Sequence, residues 1–337
     1  MNVYFSEKIE EIVEKIDDSQ LTGNVGIKVH FGEKGNETYL DPEIAKAVYE
    51  KVVSMGYDAN LIECNVLYKG SRTNRKDHIK TAKSHGFDFG PIDILDGEDG
   101  SDDLTLPVKD GIVDEVKVGE GLKEYDSLIV LSHFKGHTAT GFGGAFKNLG
   151  MGLGSRAGKL HMHSDVSPSI KKSNCTKCGL CIDNCDVDAI KMTDQGAEIT
   201  DECIGCAMCI AVCEFSAVRI PWGGSTNENL QKKIIDYSQA IINYFDHNLT
   251  YINVLEKITK DCDCMGRSMN PITEDIGILV SENPVAIDKA SLDLVNEKSN
   301  NKFKEINSTN NENKINYAEK QSLGSKNYNL VKIGDEQ

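Results

Sequence analysis

Along the first part of the chain, apolar residues switch between two periods, and the switching predicts strands separated by helices. Ile9, Ile12, Val13 and Ile16 recur at helical spacing behind Ser6, a candidate cap. Residues 25–31 read as a strand. Asp41-Pro42 opens a helix with Asp at the N-cap and Pro at the first helical position. Ile44, Ala47, Val48, Val52 and Val53 give that helix an apolar face, and Gly56 stops it. Residues 59–64 read as the next strand, residues 75–85 as a helix closed by Gly86, and residues 127–132 as a short buried strand. The rhythm returns later: helix 229–245, strand 275–281, a Pro-initiated helix 284–296, and a final edge strand 328–333. Residues 296–316 are rich in Asn, Lys and Glu and are expected to form a mobile loop.

Strand–helix alternation argues for an α/β fold, a largely parallel sheet with helices on both faces. Ligands of such sheets gather at the carboxyl ends of strands, so the loops after Phe31, Cys64 and Ser132 are the places to look. Dense cysteines interrupt the rhythm at 173–222. The expected organisation is therefore an α/β domain from 1–172, an insertion at 173–222, and the same domain continued over 223–337.

Composition narrows the partners. Hydrophobic residues make up 39% of the chain, enough for a packed core. A formal charge of −16 repels phosphate backbones, which excludes nucleic acid. No apolar run reaches the ~18 residues of a membrane span. The N-terminus lacks a basic stretch followed by an apolar one, so no signal peptide is read. Without that signal, eleven cysteines at short fixed spacings favour metal ligation in a reducing, cytoplasmic compartment over disulfides.

Cys175, Cys178, Cys181 and Cys185 form C-x2-C-x2-C-x3-C, and Cys203, Cys206, Cys209 and Cys213 repeat it 28 residues on. The repeat extends beyond the thiols, since Ala189-Ile190-Lys191-Met192 matches Ala217-Val218-Arg219-Ile220 at the same offset. Three thiolates on a tight loop reach three corners of one cubane, while the fourth points across to the other cluster. This assigns Cys175, Cys178, Cys181 and Cys213 to one [4Fe–4S] cluster, and Cys203, Cys206, Cys209 and Cys185 to the second. A zinc site normally uses one set of four ligands in two pairs; two sets in this register favour iron–sulfur.

A second concentration of chemistry follows strand 127–132. Four of the eight histidines, His133, His137, His161 and His163, fall here among glycines that include Gly143 and Gly144. Glycines let a backbone approach an anion closely and offer N–H groups, and Lys135, Lys147 and Lys159 add positive charge. Imidazoles serve as metal ligands or as acid and base near neutrality. These residues are read as a pocket, which Lys28 and His30 are candidates to join. Cys262 and Cys264, one residue apart, are either ligands of an additional metal together with histidines or unligated thiols. Cys64 is read as a packed apolar residue.

The cysteine block resembles the bacterial two-cluster ferredoxins over about fifty residues. It departs from them where they carry Pro after each fourth cysteine, since Asp186 and Glu214 stand there. Two added carboxylates disfavour an added electron and lower the cluster potential. Residues 65–72, 135–150, Cys262-Asp263-Cys264 and 275–288 resemble ferredoxin-fused members of the domain of unknown function 362 family. His137, Gly141, Gly143-Gly144, Lys147 and His163 also resemble a pattern of nickel-pincer lactate racemases. That resemblance implies an acid/base at His137, attachment of a nucleotide-derived cofactor at Lys147 and a nickel ligand at His163. Upstream, where those enzymes carry a histidine before an arginine, this chain has Gly70-Ser71-Arg72.

The functional expectation is a cytoplasmic iron–sulfur oxidoreductase. Its clusters exchange electrons with a redox partner protein and with a site formed by His133, Lys135, His137, Lys147, His161 and His163, with a small anion as substrate. The rivals are an electron-transfer subunit without its own substrate and a racemase-like enzyme with structural clusters.

Overall fold

The computed structural model describes residues 1–307 and 312–334. Eight strands form the main sheet: β1 (Asn2–Ser6), β2 (Asn24–Lys28), β3 (Asp58–Glu63), β4 (Ile92–Ile94), β5 (Ser127–His133), β6 (Leu249–Leu255), β7 (Gly277–Ser281) and β8 (Asn329–Lys332). Their order in space is β8-β1-β7-β6-β5-β2-β3-β4. Only β7 runs antiparallel to its neighbours, so the sheet is mostly parallel. The chain builds outward from β2 to β4, returns to lay β5 beside β2, and then builds the other way. This reversal is a topological switch point, where parallel sheets open a crevice at their carboxyl ends.

Both faces of the sheet are covered. Along β5, Leu128 and Val130 enter one apolar core while Ile129 and Leu131 enter the other, as the two-residue period of a strand requires. Helix α1 (Pro42–Ser54) packs Ile44, Ala45, Val48 and Val52 into the second core. Helices α4 (Asn227–Tyr244) and α5 (Pro284–Lys298) fill the first. Between α1 and α4 in the chain lie α2 (Arg75–Ser84) and α3 (Arg156–His163). Each of the five starts at a side-chain cap (Asp41, Asn74, Ser155, Thr226 and Asn283) that accepts a first-turn N–H.

Several elements depart from the sequence reading. β1, β6 and the hairpin of Asp103–Pro107 with Glu115–Gly119 were not anticipated. Ser6 ends β1 and accepts the Lys8 N–H at 3.0 Å instead of capping the short helix Ile9–Val13. Most of the expected mobile loop is helical, as the end of α5, Lys302–Ile306 and Glu312–Lys320. Phe303 and Ile315 are buried in the main core, and that burial overrides the polar composition. The expectation for residues 308–311 lies outside the described residues. Among the described residues no helix is long and apolar enough to cross a membrane.

Between α3 and α4 the chain forms small elements with their own apolar cluster, Ile190, Ala197, Cys209 and Val218. Ser169–Ile170 pairs with Val218–Arg219, and Ile190–Thr193 pairs with Gly196–Ile199. Two short helices, Leu180–Asp183 and Met208–Val212, begin at Gly179 (φ 86°) and Ala207 (φ 64°), equivalent positions of the repeat. The second of these turns is the docked one. Ala207 is buried against Leu67 and Leu160 of the α/β domain, and Lys69 donates to the Glu214 carbonyl at 2.8 Å.

Candidate functional site

A cavity of about 540 Å³ opens at the carboxyl ends of β2, β3, β5 and β6. Its size falls in the roughly 300–1,000 Å³ range of small-ligand sites. His30 follows β2; Glu63, Cys64, Leu67, Tyr68 and Arg72 end or follow β3. His133 ends β5, and Cys262 and Cys264 follow β6. Two of the loops expected from the sequence, after Cys64 and after Ser132, line it, joined by one after the unanticipated β6; from the β2 end only His30 reaches it, and the loop after Phe31 contributes no wall residue.

The floor is stitched by buried ions. Lys28 pairs with Glu63 at 2.9 Å and donates to Asn148 Oδ1 at 2.8 Å. Asn148 Nδ2 donates to the Leu131 carbonyl at 2.8 Å, so one side chain ties β2 and β5 to the turn after Lys147. That turn is π-helical over Lys147–Met151, a geometry common at functional sites. Upstream of it, the buried Asp288 carboxylate on α5 accepts the Ala145 N–H at 2.7 Å and the Asn253 amide at 2.9 Å. Gly144 is required for this approach, because a Cβ there would lie 2.3 Å from Asp288 Oδ1.

His133 and Lys135 line the cavity, yet their polar atoms are engaged with protein. His133 Nδ1 meets Asp263 at 2.9 Å and Nε2 meets the Glu256 carbonyl at 2.7 Å. Lys135 donates to the carbonyls of Thr38 at 2.7 Å and Lys257 at 2.6 Å, and lies 3.3 Å from Asp263. Both therefore hold Asp263 in place, and neither leaves a ring nitrogen or ammonium group uncommitted. The sequence reading did not single out Asp263, whose anchoring partners lie far away in the chain.

The side chains that face the cavity differ. His137 Nδ1 accepts the N–H groups of Ala139 and Thr140, each at 3.2 Å, which leaves Nε2 to carry the proton of the neutral ring. Burial, then Lys147, holds the His137 pKa well below the ordinary value. His163 stands edge-on to Trp222 at 4.6 Å, and burial followed by Lys147 and Lys159 lowers it to about 4. His161, two positions away on α3, points instead to Tyr237 Oη at 3.1 Å and is not part of the cavity wall.

Lys147 Nζ lies 3.5 Å from Cys262 Sγ. Burial presses the Lys147 pKa down, but the Cys262 and Cys264 thiols outweigh it and leave it raised. The hydrogen bond from Cys264, against burial and aided by Lys147, lowers Cys262 to about 5. The same bond, with burial, pushes Cys264 well up. Arg72 links the opposite wall through His30 Nε2 at 3.0 Å and Tyr68 Oη at 2.7 Å, and Tyr68 in turn donates to the Cys264 carbonyl at 3.2 Å. Cys64 is buried and donates to the Leu153 carbonyl, in line with a packing role. Among the described residues no three His, Cys, Asp or Glu side chains are gathered as a single-ion site.

Cys175, Cys178, Cys181 and Cys213 line one small cavity of their own, so the last cysteine of the second repeat stands with the first three of the first. Cys181 is raised by burial and by Cys175, Cys178 and Cys213. Cys206 is raised by burial and by Cys185 and Cys203. Cys209 is pushed to about 12 by burial and by Cys206, Cys203, Cys181 and Cys185. The N–H groups of Ala197, Ala189 and Ala217 donate to the sulfurs of Cys175, Cys185 and Cys213 at 3.5, 3.2 and 3.2 Å. Trp222, where this region returns to the α/β domain, lines the large cavity.

Fold and site together define an α/β protein with a switch-point cavity and a cysteine-rich region beside it. The chain belongs to the family described as Domain of unknown function (DUF362), whose model matches residues 25–293. No curated protein matches it. Among solved structures, it is similar to the lactate racemase apoprotein from Thermoanaerobacterium thermosaccharolyticum, with 12% identity, a TM-score of 0.38, and coverage of 75% of this chain and 50% of that one. A Thermotoga maritima protein gives 13% identity, a TM-score of 0.38, and coverage of 74% and 50%. The chain spans about half the length of each.

Proposed function

We propose that the chain is an iron–sulfur protein that passes single electrons between an external carrier and the switch-point cavity, where a small anion undergoes a redox reaction. In this reading residues 173–222 are a two-cluster ferredoxin-like module inserted in the α/β domain. Cys175, Cys178, Cys181 and Cys213 would hold one [4Fe–4S] cluster, and Cys203, Cys206, Cys209 and Cys185 the other. When bound, such clusters accept and release one electron each.

The observation that carries this reading is the crossing of the fourth cysteines. Cys213 shares a cavity with the first three cysteines of the first repeat, and Cys185 packs in the same small apolar cluster as Cys209. Zinc ligation by separate repeats has no use for that exchange. Backbone N–H groups aimed at three of the sulfurs favour thiolates there. Docking of Ala207 on Leu67, a residue of the cavity wall, gives the second cysteine loop a direct neighbour in the α/β domain. Lys147 and the Nε2–H of His137 suit an anionic ligand.

Anaerobic purification with iron and sulfide analysis tests the reading. About eight irons per chain are expected, with roughly half lost and one paramagnetic signal removed in Cys185→Ser. A colourless, iron-free chain would overturn it. Turnover of a 2-hydroxy acid that persists in redox-inert buffer would replace it with the racemase-like reading.

A further inference from the structure

The Cys262-Asp263-Cys264 turn presents two thiols to the cavity as a unit. The Met265 N–H closes it on the Cys262 carbonyl at 3.0 Å. His133 and Lys135 hold the Asp263 carboxylate, and its two neighbours stand with it on the cavity wall. Both thiols line the same wall of the cavity, one residue apart.

The surroundings favour thiol chemistry over a bound cation. Lys147 puts an ammonium group 3.5 Å from Cys262 Sγ, and a second positive charge beside it would be repelled. Among the described residues no third His, Cys, Asp or Glu completes a single-ion site with the two thiols. An ammonium group stabilises a thiolate and attracts an anion. We propose that Cys262 and Cys264 form a dithiol–disulfide couple that reduces a small anion containing a sulfur–sulfur bond.

The chemistry balances without a further reagent. The Cys262 thiolate attacks one sulfur of the substrate, forming a mixed disulfide and releasing one half as a thiolate-type anion. Cys264 loses its proton and attacks Cys262 Sγ, which releases the second half and leaves the Cys262–Cys264 disulfide. Two electrons and two protons restore the dithiol. Their supply rests on the function proposed above, with a low-potential one-electron carrier as the reductant.

Tetrathionate is the probe, used on the anaerobically prepared full chain. One equivalent should release two thiosulfates per chain. The peptide spanning both cysteines should become lighter by two hydrogens and resist maleimide, and reduced methyl viologen should restore both thiols. In Cys264→Ser, Cys262 should stop at the thiosulfate adduct with only one thiosulfate released. Maleimide labelling of both cysteines in tetrathionate-treated wild type overturns the couple, even where iron analysis upholds the clusters. Cross-link formation in a chain found to be iron-free upholds the couple and sinks only the electron supply.

Discussion

At the scale of single residues, the cavity depends on wall groups whose polar atoms are taken up by other protein groups. Asp263 is the clearest, a buried carboxylate between His133 and Lys135. Asp263→Asn removes one charge of a buried set, and such losses cost about 3–5 kcal/mol. Urea denaturation should register that loss, and Cys262 should alkylate faster as the turn loosens. The two cysteines were legible in the sequence as a motif, but Asp263 was not, because its partners lie 130 positions away and no local pattern names them. His133 and Lys135 were read as site residues, and in the structure their side chains hold Asp263. Histidine burial has a second consequence, with a definite sign. His78 is buried with neither ring nitrogen partnered, and burial and Arg72 push its pKa well down. Below the ordinary histidine value the unfolded chain takes up a proton that the folded chain refuses, so stability falls as the pH drops from about 6.5. His78→Phe keeps the edge contact with Phe31 and removes that proton. Denaturation at stepped pH should show a slope shallower by up to about 1.4 kcal/mol per pH unit. An unchanged slope would mean that His78 takes up its proton in the folded state.

At the scale of elements, the positions of strand ends set the site. Asp288 on α5 fixes the segment after Gly144 by accepting from Ala145 and Asn253. Asp288→Ala strips those N–H groups of their acceptor, and each buried donor left unpaired costs about 1–3 kcal/mol. A loss of roughly that size in denaturation is expected, with faster amide exchange over 143–147 as the local signature. Capped helices were the most legible elements. Asp41-Pro42 places the start of α1 correctly, because a cap and a fixed φ act within one turn. β6 was not legible. Its seven residues are all buried, yet Thr250 and Asn253 break the apolar run. Asn253 is tolerated because Asp288 and Ser291, both on α5, accept from its amide nitrogen. Tertiary hydrogen bonding thus admits a central strand that periodicity alone would reject.

At the scale of the molecule, the question is what holds the cysteine-rich region against the cavity. The cysteine repeat was legible from its spacing, but the contact it makes through Ala207 was not, since Ala207 is a small residue in a polar-looking repeat. The apolar contact is narrow, with Leu67, Leu160 and Ala207 buried and Ile210 and Ile220 at its margin. Burying one leucine contributes about 1.5–3 kcal/mol, and each 1.4 kcal/mol is a factor of ten in an opening equilibrium. Leu67→Glu replaces that gain with the cost of desolvating a carboxylate, beside a region that already carries eight carboxylates against three cations over 173–222. Iron content should be unchanged, because Leu67 is no part of the cysteine sets. Amides of Met208–Val212 should exchange at least ten-fold faster by hydrogen-exchange mass spectrometry, while those of Ile190–Thr193, which belong to the region's own hairpin, should not. Equal acceleration of both would mean that the whole region unfolds instead of undocking. No acceleration would mean that the Lys69 bond to Glu214 and the chain connections at Trp222 hold the two parts together without the apolar contact.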